Sequence, residues 1–187
     1  MLERMTRQPR LRPDDLDAEQ AAVYRSITEG PRSTGPFPLV EADGSLRGPF
    51  GGFLLSPRVG DALQRLGAAV RYESGLSDRC RELAILAVAA AWRSGFEREA
   101  HEATGRRAGL GEHELAAVRE GRETDLPDET EAACLRLVTA LLGGDVDDRT
   151  WAACVPPLDA TAVFELTTLV GYYSMLALQM RVLRVDD

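Results

Sequence analysis

The chain has few groups that could move protons or electrons: two histidines, three cysteines and thirty acidic residues in 187 positions. His113 sits in Gly-Glu-His-Glu, a polar helix start, and reads as a surface residue. His101 follows Glu97 by four residues, so the two share a helix face about 5–6 Å apart at Cβ. A carboxylate beside an imidazole fixes the ring and can shuttle a proton. Exposed Glu–His pairs also occur on many surface helices, and there they contribute little. Glu82 adds weight, because it heads the most apolar stretch of the chain, Leu83 to Ala91. A carboxylate there must be capped, paired or neutralised. It either pairs with a nearby arginine, Arg79 or Arg81, or relays protons with His101 across a helix contact. A divalent ion held by Glu82, Glu97 and His101 is a further reading of the same three side chains.

Composition removes other chemistries. All 22 basic residues are arginine, and lysine and asparagine are absent. No Schiff-base lysine, lysine-held pyridoxal phosphate or P-loop lysine exists. The net charge of −8 and the pI near 4.9 argue against a nucleic-acid binder. Cys80, Cys134 and Cys154 stand far apart, with no Cys-x-x-Cys and no Cys/His metal spacing. Neither a zinc site nor a redox dithiol is written in that spacing. The odd thiol count and the lack of an apolar leader lead us to expect a cytoplasmic, reducing location. Ala162 to Leu183 is apolar but carries Glu165, Gln179 and Arg181, so it is expected to be a core helix rather than a membrane span.

The elements that must position these residues are helices. Residues 1–13 are polar and Arg-rich and are expected to be a flexible end, with a single domain over 14–187. A first helix is expected from about Asp15 to Glu29, capped by Asp14 or Asp15 and ended by Gly30. Pro31 to Ser56 is a long Pro/Gly-rich stretch. It reads as an arm for a neighbouring subunit, or as a lid or pocket wall carrying Phe50 and Phe53. Ser56-Pro57 starts a helix to about Tyr72. Ser77 caps the next, which is apolar all round and therefore buried. Further helices are expected over Phe96–Arg107, Glu112–Glu120 and Asp128–Leu142, then a short piece with Trp151, then a long one led by Asp159. No stretch alternates with period two, so the class is all-α: a compact bundle of about seven to eight helices. Glu82-Leu83 and Glu165-Leu166 each lie near the head of an apolar helix, a weak echo of two packed halves.

The order Arg81-Glu82-Leu83-Ala84-Ile85-Leu86, Trp92, Phe96-Glu97-x-x-x-His101, Ala108-Gly109-Leu110 resembles the carboxymuconolactone decarboxylase-like proteins. Gly48-Pro49-Phe50 and Ser56-Pro57 upstream fit the same pattern. So do Glu131, Trp151 and Glu165-Leu166 to Gly171-Tyr172-Tyr173 downstream. The resemblance covers about 39–178. Its alkylhydroperoxidase-like branch carries Cys-x-x-Cys-x-x-x-His with a glutamate twelve residues before the first cysteine. Counted back from His101, the cysteine positions hold Glu97 and Ser94, and the glutamate is Glu82. Both redox thiols are missing, so an antioxidant peroxidase function is disfavoured and the decarboxylase branch fits better.

The resemblance implies an alkylhydroperoxidase-like fold that assembles as a homo-oligomer, a trimer or hexamer. It also implies cofactor-free lyase chemistry on a small, acidic lactone or oxo-acid, with no nucleic-acid or membrane partner. Loss of carbon dioxide leaves a carbanion. With no lysine imine, the substrate itself must supply the electron sink. On this reading His101 is the proton donor or base, Glu97 its orienting partner and Glu82 a second relay group. Arg93 is expected to bind the substrate anion, and Trp92 is a candidate pocket wall. No cofactor or metal is expected.

Overall fold

The computed structural model describes residues 6–122 and 125–185. Among them are nine α-helices and two short 3-10 turns, with a single isolated antiparallel bridge, Val40 to Leu46. The helix count exceeds the expected seven to eight because Pro49–Phe53 coils into a short helix, α2, inside the Pro/Gly-rich stretch. The chain divides into two compact units: residues up to Glu73 together with those from Leu176 onward, and Ser74–Met175.

In the first unit, α1 (Ala18–Thr28) and α3 (Pro57–Tyr72) pack together. The first helix begins later than its sequence suggested. Pro13–Asp15 forms a 3-10 turn, and Asp17 rather than Asp14 or Asp15 is the cap. The Asp17 carboxylate accepts from Gln20 N, and the Gln20 side chain accepts from Asp17 N, a reciprocal box that satisfies two orphan donors. Phe50 and Phe53 meet edge to face at 5.7 Å. Gly60 lies so close to α2 that a Cβ there would sit 2.2 Å from the Phe53 carbonyl oxygen. Residues 1–5 of the expected flexible end lie outside the described part; Arg7 N donates to Leu183 O at 2.8 Å. Phe53, Gln8, Gly52, Val59, Leu63 and Met180 line a cavity of about 170 Å³.

The second unit is built around α4 (Asp78–Trp92), which packs against α5 (Gly95–Arg107), α6 (Glu112–Arg119) and α7 (Glu129–Gly143). Being enclosed by three helices explains why α4 has no polar face: Leu83 to Ala89 are all buried. The short α8 (Asp148–Cys154) packs on α7. The long α9 (Ala160–Leu183) begins in this unit. It has the length and apolarity of a membrane span. Leu166, Leu169, Tyr172 and Tyr173 of its first two-thirds are nevertheless buried in the protein. The echo between Glu82 and Glu165 does not extend to their roles, because Glu165 accepts from Gly75 N at 3.0–3.1 Å and holds the turn before α4.

Arg79 fastens three helices. Its guanidinium donates to Glu131 at 2.7 and 2.9 Å, to Glu114 at 2.6 Å and to the Gly109 carbonyl. Burial pushes the Glu114 carboxyl up. The Arg79 hydrogen bond, the Gly111 N–H and the Arg79 charge outweigh that and hold it below its usual value. Arg81 pairs with Asp78. Neither arginine named as a possible partner is engaged in these contacts with Glu82.

Candidate active site

Glu82 lies in the second turn of α4, which Ser77 caps by accepting from Cys80 N at 3.1 Å. The helix ends at Arg93, in the left-handed region at φ 55°. There Arg93 N donates to Ala90 O and Ser94 N to Ala89 O. This six-to-one and five-to-two closure satisfies the last carbonyls and reverses the chain within two residues. Ser94 then caps α5, accepting from Glu97 N at 3.4 Å. The tight reversal lays α5 back along α4. Gly105 keeps the approach close: a Cβ there would sit 3.0 Å from Leu110 Cδ1 and 3.6 Å from Leu86 Cδ1.

His101, one turn after Glu97, therefore points at Glu82. Its Nδ1 lies 2.7 Å from Glu82 Oε2, and its Nε2 lies 3.6 Å from Glu97 Oε2. Glu82 is 1% exposed, Glu97 3% and His101 3%. The Tyr173 ring stands edge-on to the imidazole at 5.3 Å, and Tyr172 stands edge-on to Tyr173 at 5.4 Å. Two acid groups and one imidazole in so dry a place cannot all be deprotonated cheaply, because desolvation penalises every net charge.

The structure thus brings together all three residues expected to move protons. The short contact is to Glu82, whereas the sequence had pointed to Glu97 as the orienting group. Helical spacing fixes that Glu97 and His101 share a face but leaves the rotamer open, and the ring turns its Nδ1 to the neighbouring helix. Trp92, the last residue of α4, is half-buried, and Arg93 is exposed. Among the described residues, the Arg93 guanidinium makes no hydrogen bond or ion pair. Its visible role is the backbone cap. Among the same residues, no group of three His, Cys, Asp or Glu side chains is arranged to hold a metal ion. The tyrosine pair was missed as a site feature. Gly171-Tyr172-Tyr173 was visible in the sequence, but only the packing of α9 brings Tyr173 against His101.

Residues 57–140, which contain all of this geometry except the tyrosines, match the family model described as carboxymuconolactone decarboxylase family. The segment belongs to the carboxymuconolactone decarboxylase family. Among solved structures, the chain is similar to a cysteine-to-alanine variant of the debrominase Bmp8 in complex with 2,3,4-tribromopyrrole. Identity is 13%, the TM-score is 0.74, and the match covers 97% of this chain and 91% of that one. That likeness shows the fold, which is all-α and alkylhydroperoxidase-like. Among curated proteins, none matches the sequence. Within the family segment, α4 supplies one carboxylate of this set and α5 supplies the imidazole and the other carboxylate.

Proposed function

We propose that the protein is a cofactor-free lyase of the carboxymuconolactone decarboxylase type, acting on a small carboxylated lactone or oxo-acid. The observation that carries this reading is the buried Glu82–His101–Glu97 set, and family membership over 57–140 supports it. Glu82 accepts the Nδ1 proton and fixes the tautomer. His101 Nε2 is then the nitrogen able to give or take a proton at the substrate, with Glu97 within reach as the relay group. The substrate's own carbonyl or conjugated ester accepts the electron pair released with carbon dioxide. The resulting enolate is protonated in a water-poor site. The subunit is proposed to act as a homo-oligomer in the cytoplasm.

The test is carbon dioxide release from a panel of carboxylated lactones and 2- and 3-oxo-acids, with dialysed enzyme and a chelator present. The reading expects turnover on at least one panel member and its loss in His101→Gln. Turnover that needs an added cofactor, or a His101→Gln variant of unchanged activity, overturns it. Thiol-dependent hydroperoxide turnover in place of any lyase activity would favour the antioxidant alternative.

A further inference from the structure

The cavity of the first unit is walled by α2, α3 and the last turns of α9, and the chain before α1 reaches it as a strap. The strap is tied to the end of α9. Arg7 N donates to Leu183 O at 2.8 Å, Arg7 Nη1 to Val182 O at 3.3 Å and Thr6 Oγ1 to Leu183 O at 3.4 Å. That anchorage delivers the Gln8 side chain to the cavity wall. Its amide lies over bare glycine backbone. A Cβ on Gly51 would sit 2.2 Å from Gln8 Nε2, and one on Gly52 would sit 3.3 Å from Gln8 Oε1. Among the described residues, Gln8 Oε1 is buried and accepts no hydrogen bond. A buried acceptor without a donor is costly, so this oxygen favours an occupant that brings one. The other walls are apolar or neutral, and among the described residues no charged side chain lines the cavity. Phe53 and Met180 form its buried inner wall, and Val59, 57% exposed, forms its rim. The volume of about 170 Å³ is that of a single ring, since an apolar cavity of about 150 Å³ admits benzene.

We propose that this cavity binds a small neutral ring compound that carries one hydroxyl or N–H donor. The ring lies against Phe53, Leu63 and Met180, and the donor meets Gln8 Oε1. Binding frees loosely held water from apolar walls and gives the orphaned oxygen a partner. The thioether of Met180 is flexible and polarizable, which suits it to a ring edge. A carboxylate is rejected, because no cation lines the cavity to offset its desolvation. The site is therefore separate from the acid–imidazole set in both residues and ligand class. Glu82, Glu97 and His101 are not among its walls, and it stands whether or not the lyase reading does.

The experiment titrates native, full-length protein carrying carbon-13 methyl methionine with phenol, toluene and benzoate. The four methionine methyls are the reporters, and Met180→Leu assigns the one in the cavity. Phenol should shift the Met180 signal saturably, with a Kd of about 1 mM or tighter. Benzoate, the same ring with a charge, should bind at least about tenfold more weakly. Val59→Trp, a change at the exposed rim, should block phenol. Gln8→Met keeps the side chain's length but loses the acceptor. It should move the preference between phenol and toluene toward toluene by about two- to tenfold, the range of one neutral hydrogen bond. No Met180 shift with phenol, benzoate binding as tightly as phenol, or an unchanged phenol–toluene preference in Gln8→Met overturns the proposal. So does phenol that binds only by splitting an assembly of subunits on size exclusion, because the cavity would then belong to a side chain of a second copy. Wild type alone separates phenol from benzoate, so misfolding of a variant does not blunt the test.

Discussion

The acid–imidazole set and the contact of Cys134 Sγ with the Cys80 carbonyl stand two residues apart on α4, yet the chain assembles them from very different distances. Glu82 and His101 are nineteen residues apart and are brought together by one tight reversal at Arg93-Ser94. Cys80 and Cys134 are fifty-four residues apart, and only the packing of α7 on α4 joins them. Local spacing announces the first and is silent about the second contact. One helix can therefore present two contacts on opposite faces, one marked by motif and one marked only by tertiary packing.

The largest expected effect falls on the first site. Glu82→Gln keeps the shape but not the charge that holds His101 Nδ1. Turnover should fall by about 10²–10⁴, the range for a lost general acid–base function. Glu97→Gln should cost less, since its oxygen is 3.6 Å from Nε2. Equal losses, read as kcat on the responding panel substrate, would erase the distinction between the two carboxylates.

Arg79→Ala comes next, at about 2–3 kcal/mol, because it strands the buried Glu114 and Glu131 while Arg79 itself is a quarter exposed. The sign with pH follows from Glu114, whose folded value lies below the ordinary 4.5. Its contribution is present above that unfolded value and is lost as pH falls through the folded one. Wild type should therefore lose stability on acidification in that window more steeply than Arg79→Ala does. Parallel pH curves would show that the clamp contributes little.

The smallest effect separates cap from ligand. Arg93 holds a left-handed φ of 55° that glycine adopts without strain. Arg93→Gly should be neutral or stabilising by up to about 1 kcal/mol. Unchanged KM in this variant would leave Arg93 as a cap, whereas a large rise in KM would restore it as the anion ligand expected from the sequence.

Much of the fold was legible because its signals are local. Ser77 and Asp128 each cap the helix they announce. The unbroken apolar run after Glu82 told that α4 is enclosed. Asp14 and Asp15 misled because Pro13 starts a 3-10 turn before the true cap, Asp17. The helix at Pro49–Phe53 was hidden by glycines that disfavour helices and are tolerated here for close packing. Of the site, the i, i+4 pair and the apolar-headed Glu82 were readable, whereas the ring orientation, Tyr173 and the Arg79 clamp depend on packing that spacing does not encode.

The central claim is that Glu82 fixes His101 in a dry site with Nδ1 protonated and Nε2 left for proton transfer. Nitrogen-15 NMR of histidine-labelled protein tests it most directly, with His113→Gln removing the only other imidazole. The account predicts a His101 Nδ1–H signal that exchanges slowly with water and disappears in Glu82→Gln. An imidazole that exchanges freely, carries its proton on Nε2 and titrates as a solvent-exposed histidine does would contradict it.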